Sequence, residues 1–193
     1  AFWIYTATQV NPLFALVAVM PAAFALNWAI YSLLLRPLVR RAKNRGMLEV
    51  DSILATFGLL FILQGLMQLG FGGGYYSYTF LAVPFTILGS PFGLNRVVAF
   101  IAAAVIAVAL YLFLNRTRQG TAIRAVAVDP VAAGLSAINV DRASAFAFAL
   151  GGALTAAGGT LLSTFYTFDA SMGVVFTMKA LIIVIMGGVG DVR

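Results

Sequence analysis

The sequence predicts an all-α, polytopic transmembrane protein, and three observations support this fold class. The chain of 193 residues is 62% hydrophobic and only 9% charged, with a mean hydropathy of +1.01. A soluble domain carries about 25% charged residues, so this chain has too little polar surface to be wetted as a monomer. Its apolar residues fall in runs about 20 residues long, which is the length of helix that crosses a bilayer. Its basic residues are concentrated in alternate connectors between those runs.

Four runs are long enough to cross the membrane as helices, and a fifth is shorter. The full spans are predicted at residues 13–35, 51–71, 97–114 and 143–165. The fifth run, 174–190, breaks up in glycine, so it is either a full span or a half-helix that ends inside the membrane. Residues 1–193 are taken as one transmembrane domain. Because the chain starts without Met or a charged leader, we expect it to be an interior piece of a longer protein.

The distribution of basic residues predicts the orientation of these spans. The connectors 36–50 and 115–142 hold five and four Lys or Arg residues, whereas the stretches 72–95 and 166–173 hold none. Short connectors rich in Lys and Arg stay in the cytoplasm, so the two basic connectors are predicted to face the cytoplasm. Arg96 is the single discordant charge. The net charge of +6 is attributed to this topology and not to nucleic-acid binding.

The residue types present limit the chemistry of this stretch of chain. It contains no Cys and no His, which excludes disulfides, Cys or His metal sites, Cys nucleophiles and histidine acid–base catalysis. Its six acidic residues are scattered, so no carboxylate pair suggests hydrolysis. It also lacks the G-x-x-x-x-G-K-[ST] phosphate loop of an ATPase. We therefore predict no catalytic residue, no metal site and no cofactor bound by this chain.

The connector 115–142 shows a helix restart. Residues 119–128 have few helix breakers and can continue as helix. Asp129 and Pro130 then mark a new start, because Asp caps free N–H groups and Pro suits the first helical position.

The restarted helix is predicted to be amphipathic. Val131, Leu135 and Ile138 follow at spacings of four and three, which puts them on one helical face. Asn139 is the predicted C-cap. Two interpretations stay open: an interfacial helix that rests on lipid headgroups, or a knob that fits a groove on a cytoplasmic partner.

The fourth span is rich in small residues. Gly151 and Gly158 are seven apart, as are Gly152 and Gly159, so each pair shares a helical face. Small residues let helices approach closely in a membrane. Tight helix packing is the preferred interpretation of these glycines, and a role in sliding is an additional hypothesis.

Isolated polar residues in the spans are candidates for a solute path; they are Asn27, Gln64, Gln68 and Lys179. For the three amides, hydrogen bonding between helices is the preferred interpretation. Lys179 differs from these amides, because a cation inside the membrane is costly and is a functional candidate by default. It could bind a substrate carboxylate, or it could snorkel to the outer interface.

Three consecutive segments resemble a known family. RTRQGTAIRAVAVDPVAAGLSAINVDR, AFAFALGGALTAAGGTLLSTFY and GVVFTMKALIIVIMGGVGDVR resemble the permease subunit of branched-chain amino acid ABC importers, the LivH-type family. Upstream, LRPLVRR and DSILATFGL are similar to that family, and residues 72–93 carry little signal. Two residues depart from the family pattern. Val128 stands where a polar residue is usual, and Ala137 stands where Gly is usual.

The resemblance implies a set of partners and a mechanism. The chain would be one of two homologous permease subunits in a bacterial inner membrane, and not an enzyme itself. Cytoplasmic ATPases would bind ATP and Mg, and a periplasmic or extracellular solute-binding protein would deliver branched-chain amino acids or related small polar solutes. The loop 115–142 would couple to the ATPase and tilt the third and fourth spans. The coupling residues are expected to be Arg124, Asp129, Pro130, Val131, Leu135, Ile138 and Arg142.

Two other function classes fit the residues less well. A secondary transporter or channel would need an ion-coupling site inside the membrane, and the spans offer no acidic residue beyond Asp51 at an edge. A membrane-embedded enzyme would need catalytic groups, and this stretch of chain has no His, no Cys and no carboxylate cluster.

Overall fold

The structure is a computed structural model that describes residues 12–41, 45–76, 84–87, 90–169 and 172–187, and it is almost entirely helical. Helix α1 (Pro12–Ile30) runs through a π-helical turn (Tyr31–Leu35) into α2 (Arg36–Arg41), and α3 (Arg45–Phe71) follows. Two short strands, β1 (Pro84–Ile87) and β2 (Ser90–Gly93), form an antiparallel hairpin. The remaining helices are α4 (Leu94–Arg116), α5 (Arg118–Val128), α6 (Pro130–Leu135), α7 (Val140–Leu162) and α8 (Met172–Gly187).

The helical transmembrane architecture predicted from the sequence is confirmed. Within the described residues, four helical segments are long and apolar enough to cross a membrane: Ala15–Val39, Val50–Phe71, Leu94–Arg116 and Val140–Leu162. Each overlaps one predicted span and differs from it by a few residues at its ends. The fifth run forms a shorter apolar helix, Met172–Met186, and residues 188–190 of that run lie outside the described residues. The hairpin was not predicted, and it lies between the second and third spans without changing the fold class.

The best-packed helix pair is α1 against α7. Helix α7 places four alanines at spacings of four, and each is between 0 and 5% exposed; they are Ala145, Ala149, Ala153 and Ala157. Spacing of four puts these methyl groups on one helical face. Their small size lets neighbouring backbones approach closely, which is how helices associate in lipid without a hydrophobic driving force.

Aromatic rings join a third helix to this pair. The ring of Phe146 in α7 lies 5.2 Å from that of Phe24 in α1 and 5.9 Å from that of Phe113 in α4, measured between centroids. Such pairs contribute about 0.5–1.5 kcal/mol each beyond their buried area. Phe146 therefore holds α1, α4 and α7 together at one level of the bundle.

The π-helical turn at Tyr31–Leu35 has a local cause in Pro37. The N–H of Arg36 donates to the carbonyl of Tyr31, five residues back. Proline has no N–H and its ring crowds the carbonyl four residues before it, which is that of Leu33. A wider turn ahead of Pro37 accommodates the ring while the chain stays helical. The turn also rotates the following residues about the helix axis, including Arg36.

Candidate functional site

The connector 115–142 folds into two helices, α5 and α6, and α5 is held close to the end of α4. Thr117 interrupts the helix between them. Its hydroxyl accepts a hydrogen bond from the N–H of Gly120 at 3.0 Å and donates one to the carbonyl of Phe113 at 2.7 Å. Gly120 is buried, and a Cβ placed there would lie 2.5 Å from the backbone of Leu114. Only glycine fits this close approach, so the two residues fix the direction in which α5 leaves α4.

Arg124 adds a second tie between these helices. Its guanidinium donates to the side-chain oxygen of Asn115 at 2.9 Å. Helix α5 also contacts α7, so it is braced on two sides. The helix predicted over 119–128 is confirmed. Sequence reasoning missed Thr117 and Gly120, although threonine as an N-cap is a recognisable signal.

Helix α6 begins as the sequence predicts. The carboxylate of Asp129 accepts hydrogen bonds from the N–H groups of Val131 and Ala132 at 2.8 and 3.1 Å. Pro130 occupies the first turn. The predicted cap and restart are therefore confirmed as local structure, and the role of this helix in coupling stays a prediction.

The end of α6 differs from the prediction. The N–H of Ile138 donates to the carbonyl of Ala133 at 3.1 Å, and that of Ala137 donates to Gly134 at 3.2 Å. Together with the positive φ of 61° at Ala137, these bonds form a Schellman motif, which ends a helix with one left-handed residue. The helix therefore stops at Leu135.

Two predictions about this end are wrong as a result. Ile138 does not lie on the helical face of Val131 and Leu135, because the left-handed residue turns the chain before it. Asn139 is not a C-cap of α6. It is instead the N-cap of α7, where its side chain accepts from the N–H of Arg142 at 3.0 Å.

What the connector exposes is a small apolar patch, which we define as Val128, Val131 and Leu135. Their exposed fractions are 87%, 72% and 86%, whereas Ile138 is half-buried. Asp129, which caps the helix between them, is exposed as well. Val131 and Leu135 are four residues apart and share one face of α6, and exposed apolar patches are typical of surfaces that meet another protein or a membrane.

The four glycines proposed for helix packing differ in their surroundings. A Cβ at Gly152 would collide with the side chain of Asn27 in α1, so this glycine allows a close contact. Gly151, Gly158 and Gly159 have no described neighbour within 4 Å of a built Cβ. Within this chain, close packing of α7 therefore rests on Gly152 and on the alanine stripe, and packing of the other three glycines stays a prediction.

The structure does not bring the four candidate path residues together. Asn27 packs on Gly152, but its amide donates to the carbonyl of Ala23 in its own helix at 2.8 Å. The predicted hydrogen bond between helices is thus replaced by one within α1. Gln64 and Gln68 lie on α3, and Lys179 lies exposed on α8, 5.3 Å above the ring of Phe176. Among the described residues, neither α3 nor α8 contacts the α1–α7 pair extensively.

A charged cleft lies where α1 ends and α7 begins. The guanidinium Nε of Arg36 lies 3.1 Å from the carboxylate of Asp141, although 105 residues separate them in the chain. The cleft has a volume of about 250 Å³ and is lined by Trp28, Tyr31, Ser32, Arg36, Asn139, Asp141, Arg142 and Ala145. Arg142, predicted as a coupling-loop residue, lines this cleft. Sequence reasoning missed the cleft because no local pattern signals such a distant pairing.

Comparison with known proteins identifies the family. The chain matches, over residues 1–193, the family described as "Branched-chain amino acid transport system / permease component". The chain belongs to this family. The resemblance inferred from its sequence motifs is thereby confirmed, and the protein is a multi-pass membrane protein of this family.

Individual relatives agree with this assignment. The chain is 30% identical over 177 residues to the high-affinity branched-chain amino acid transport system permease protein LivH of Salmonella typhimurium, covering 88% of the chain and 56% of the relative. LivH of Escherichia coli K12 is 29% identical over the same coverage. The high-affinity branched-chain amino acid transport system permease protein BraD of Pseudomonas aeruginosa is 31% identical over 98 residues, covering 50% of the chain and 32% of the relative.

Two further facts frame these similarities. The chain spans about half the length of the LivH relatives that it matches, 56% in each case. No solved structure matches it.

Proposed function

We propose that this permease is a membrane-spanning subunit of an ATP-driven importer for branched-chain amino acids or related small polar solutes, with α6 docking on a cytoplasmic ATPase. The observation that carries the proposal is the exposed apolar patch on a connector that is capped, braced and continuous with two spans. A helix that only rested on lipid would need an apolar face, but it would not need rigid ties to α4.

The proposed assembly has three kinds of partner. A second homologous permease completes the path, and a periplasmic or extracellular solute-binding protein supplies solute. Cytoplasmic ATPases, and not this chain, bind ATP and Mg. The connectors 36–50 and 115–142 face the cytoplasm of a bacterial inner membrane, in line with their basic residues.

The contacts of the connector suggest how movement passes to the spans. Helix α6 joins α5, α5 packs on both α4 and α7, and α7 packs most extensively on α1. A push on α6 would therefore move the third and fourth spans and carry the first span with them. Such coupling requires two arrangements of the bundle whose populations the ATPase shifts. Asn27, Gln64, Gln68 and Lys179 remain proposals for the solute path.

The experiment compares Leu135→Asp with Ala127→Asp. Both positions are exposed on the same connector, and only Leu135 belongs to the apolar patch. Burying an unpaired carboxylate against a partner is costly, so Leu135→Asp should lose ATPase co-purification and solute uptake while membrane insertion stays normal. Ala127→Asp should retain both activities.

The opposite result has a clear meaning. If Leu135→Asp keeps full ATPase binding and uptake, the patch does not dock on a protein and α6 rests on lipid. If both variants fail equally, the loss reflects charge on the connector and not the apolar patch.

A further inference from the structure

The charged cleft between α1 and α7 suggests a second binding site, separate from the apolar patch that is proposed to dock on the ATPase. One wall comes from the end of α1, the π-helical turn and the first residue of α2, and the other comes from the N-cap and first residues of α7. Its members combine guanidinium groups with aromatic and hydroxyl side chains. Helix α6 and the apolar patch contribute nothing to it.

The charges in the cleft leave one cation without a counter-ion. Arg36 is neutralised by Asp141, and the two side chains are 46% and 37% exposed. Arg142 is exposed, and among the described residues its guanidinium has no hydrogen-bond or ion-pair partner. A guanidinium presents paired N–H donors that match two phosphate oxygens. The nearby carboxylate of Asp141 disfavours a doubly charged phosphate, so the cleft suits a singly charged phosphodiester.

The position of the cleft fits a lipid headgroup. It lies near the end of the span Ala15–Val39 and at the start of the span Val140–Leu162, where headgroups lie. Trp28 and Tyr31 are residue types enriched at that level of the membrane, and each carries a hydrogen-bond donor. Leu26 and Leu33 of the first span are exposed, which provides an apolar surface for acyl chains. Basic pockets between membrane helices bind anionic headgroups elsewhere.

We propose that this cleft binds the headgroup of an anionic phosphodiester lipid, with its phosphate on Arg142 and its acyl chains along the first span. The attraction is electrostatic and the cleft is partly exposed to solvent, so binding weakens as the salt concentration rises. The site does not depend on whether the permease couples to an ATPase.

The test uses Trp28 as a reporter. The sequence has two tryptophans, so Trp3→Phe leaves Trp28, which lines the cleft, as its single tryptophan, and selective excitation of indole avoids the tyrosines. The protein is reconstituted in phosphatidylcholine vesicles with a minor fraction of either brominated phosphatidylglycerol or brominated phosphatidylcholine. Because bromine quenches nearby indole fluorescence, stronger quenching by the phosphatidylglycerol probe reports local enrichment of that lipid.

Three variants decide whether the cleft causes the enrichment. Arg142→Gln should reduce the preference for phosphatidylglycerol about fivefold, which corresponds to one basic residue near the membrane surface. Arg142→Lys keeps the charge and should keep most of the preference, which separates charge loss from misfolding. Arg118→Gln removes an exposed arginine outside the cleft and should leave the preference unchanged.

Several outcomes would overturn the proposal. Equal quenching by the two probes would show that Trp28 senses bulk lipid only. Equal losses in Arg142→Gln and Arg118→Gln would assign the preference to general surface charge. Displacement of the brominated phosphatidylglycerol by inorganic phosphate at constant ionic strength would assign the cleft to soluble anions, and displacement by leucine would assign it to the transported solute.

Discussion

Replacing Ala137 by glycine is expected to strengthen the end of α6. The residue has a φ of 61°, a left-handed conformation that costs a non-glycine residue about 1–2 kcal/mol. Glycine removes this cost, but it also makes the unfolded chain more flexible, which favours the unfolded state by about 0.4–1 kcal/mol. The net expectation is about 1 kcal/mol in favour of the folded Schellman turn.

The assay is amide hydrogen exchange of the segment 129–139 in the reconstituted protein. The N–H groups of Ser136 and Ile138 are held by hydrogen bonds of 3.1 Å to Ala132 and Ala133. They exchange when this turn opens locally. A gain of about 1 kcal/mol should slow their exchange about fivefold after correction for intrinsic rates.

The matched control makes the same chemical change at Ala132, inside α6. There glycine is less favourable than alanine by about 0.8–1 kcal/mol, so Ala132→Gly should accelerate exchange of the same amides. Opposite signs for the two alanine-to-glycine variants are the expected signature. If Ala137→Gly accelerates exchange as Ala132→Gly does, Ala137 is not left-handed and the assignment of the Schellman turn is refuted.

Three further expectations concern the bundle and its orientation. Gly120→Ala should lower the free energy of unfolding by about 1–3 kcal/mol because of overpacking. Gly58→Ala, whose added Cβ meets no described neighbour within 4 Å, should be neutral or stabilising. Equal effects of the two substitutions would contradict the close approach at Gly120. Phe146→Leu should cost about 1–3 kcal/mol through loss of two ring contacts, measured by thermal denaturation, and an unchanged midpoint would show that the rings contribute little. Single cysteines test the topology: Ser136→Cys should resist an impermeant thiol reagent added outside cells and Thr167→Cys should react, and external labelling of Ser136→Cys would reverse the orientation.

Local features of this protein were readable from the sequence because their causes are local. The spans follow from runs of apolar residues that satisfy their own backbone hydrogen bonds as helices. The start of α6 follows from Asp129 and Pro130, which act on N–H groups two and three residues away. The sequence also marked Ala137 as a departure from the family pattern, in which glycine is usual. The structure explains that preference for glycine, since the backbone at this position is left-handed.

Other features depended on the tertiary structure because their partners are distant in the chain. The ion pair of Arg36 with Asp141 joins positions 105 residues apart, and no periodicity signals it. The contact of Gly152 with Asn27 distinguishes this glycine from its three neighbours, which share its composition and spacing. Asn139 suits either end of a helix, and the left-handed turn before it decided that it caps α7 and not α6. Spacing shows which residues share a helical face, but only the packing of one helix on another decides which face is covered.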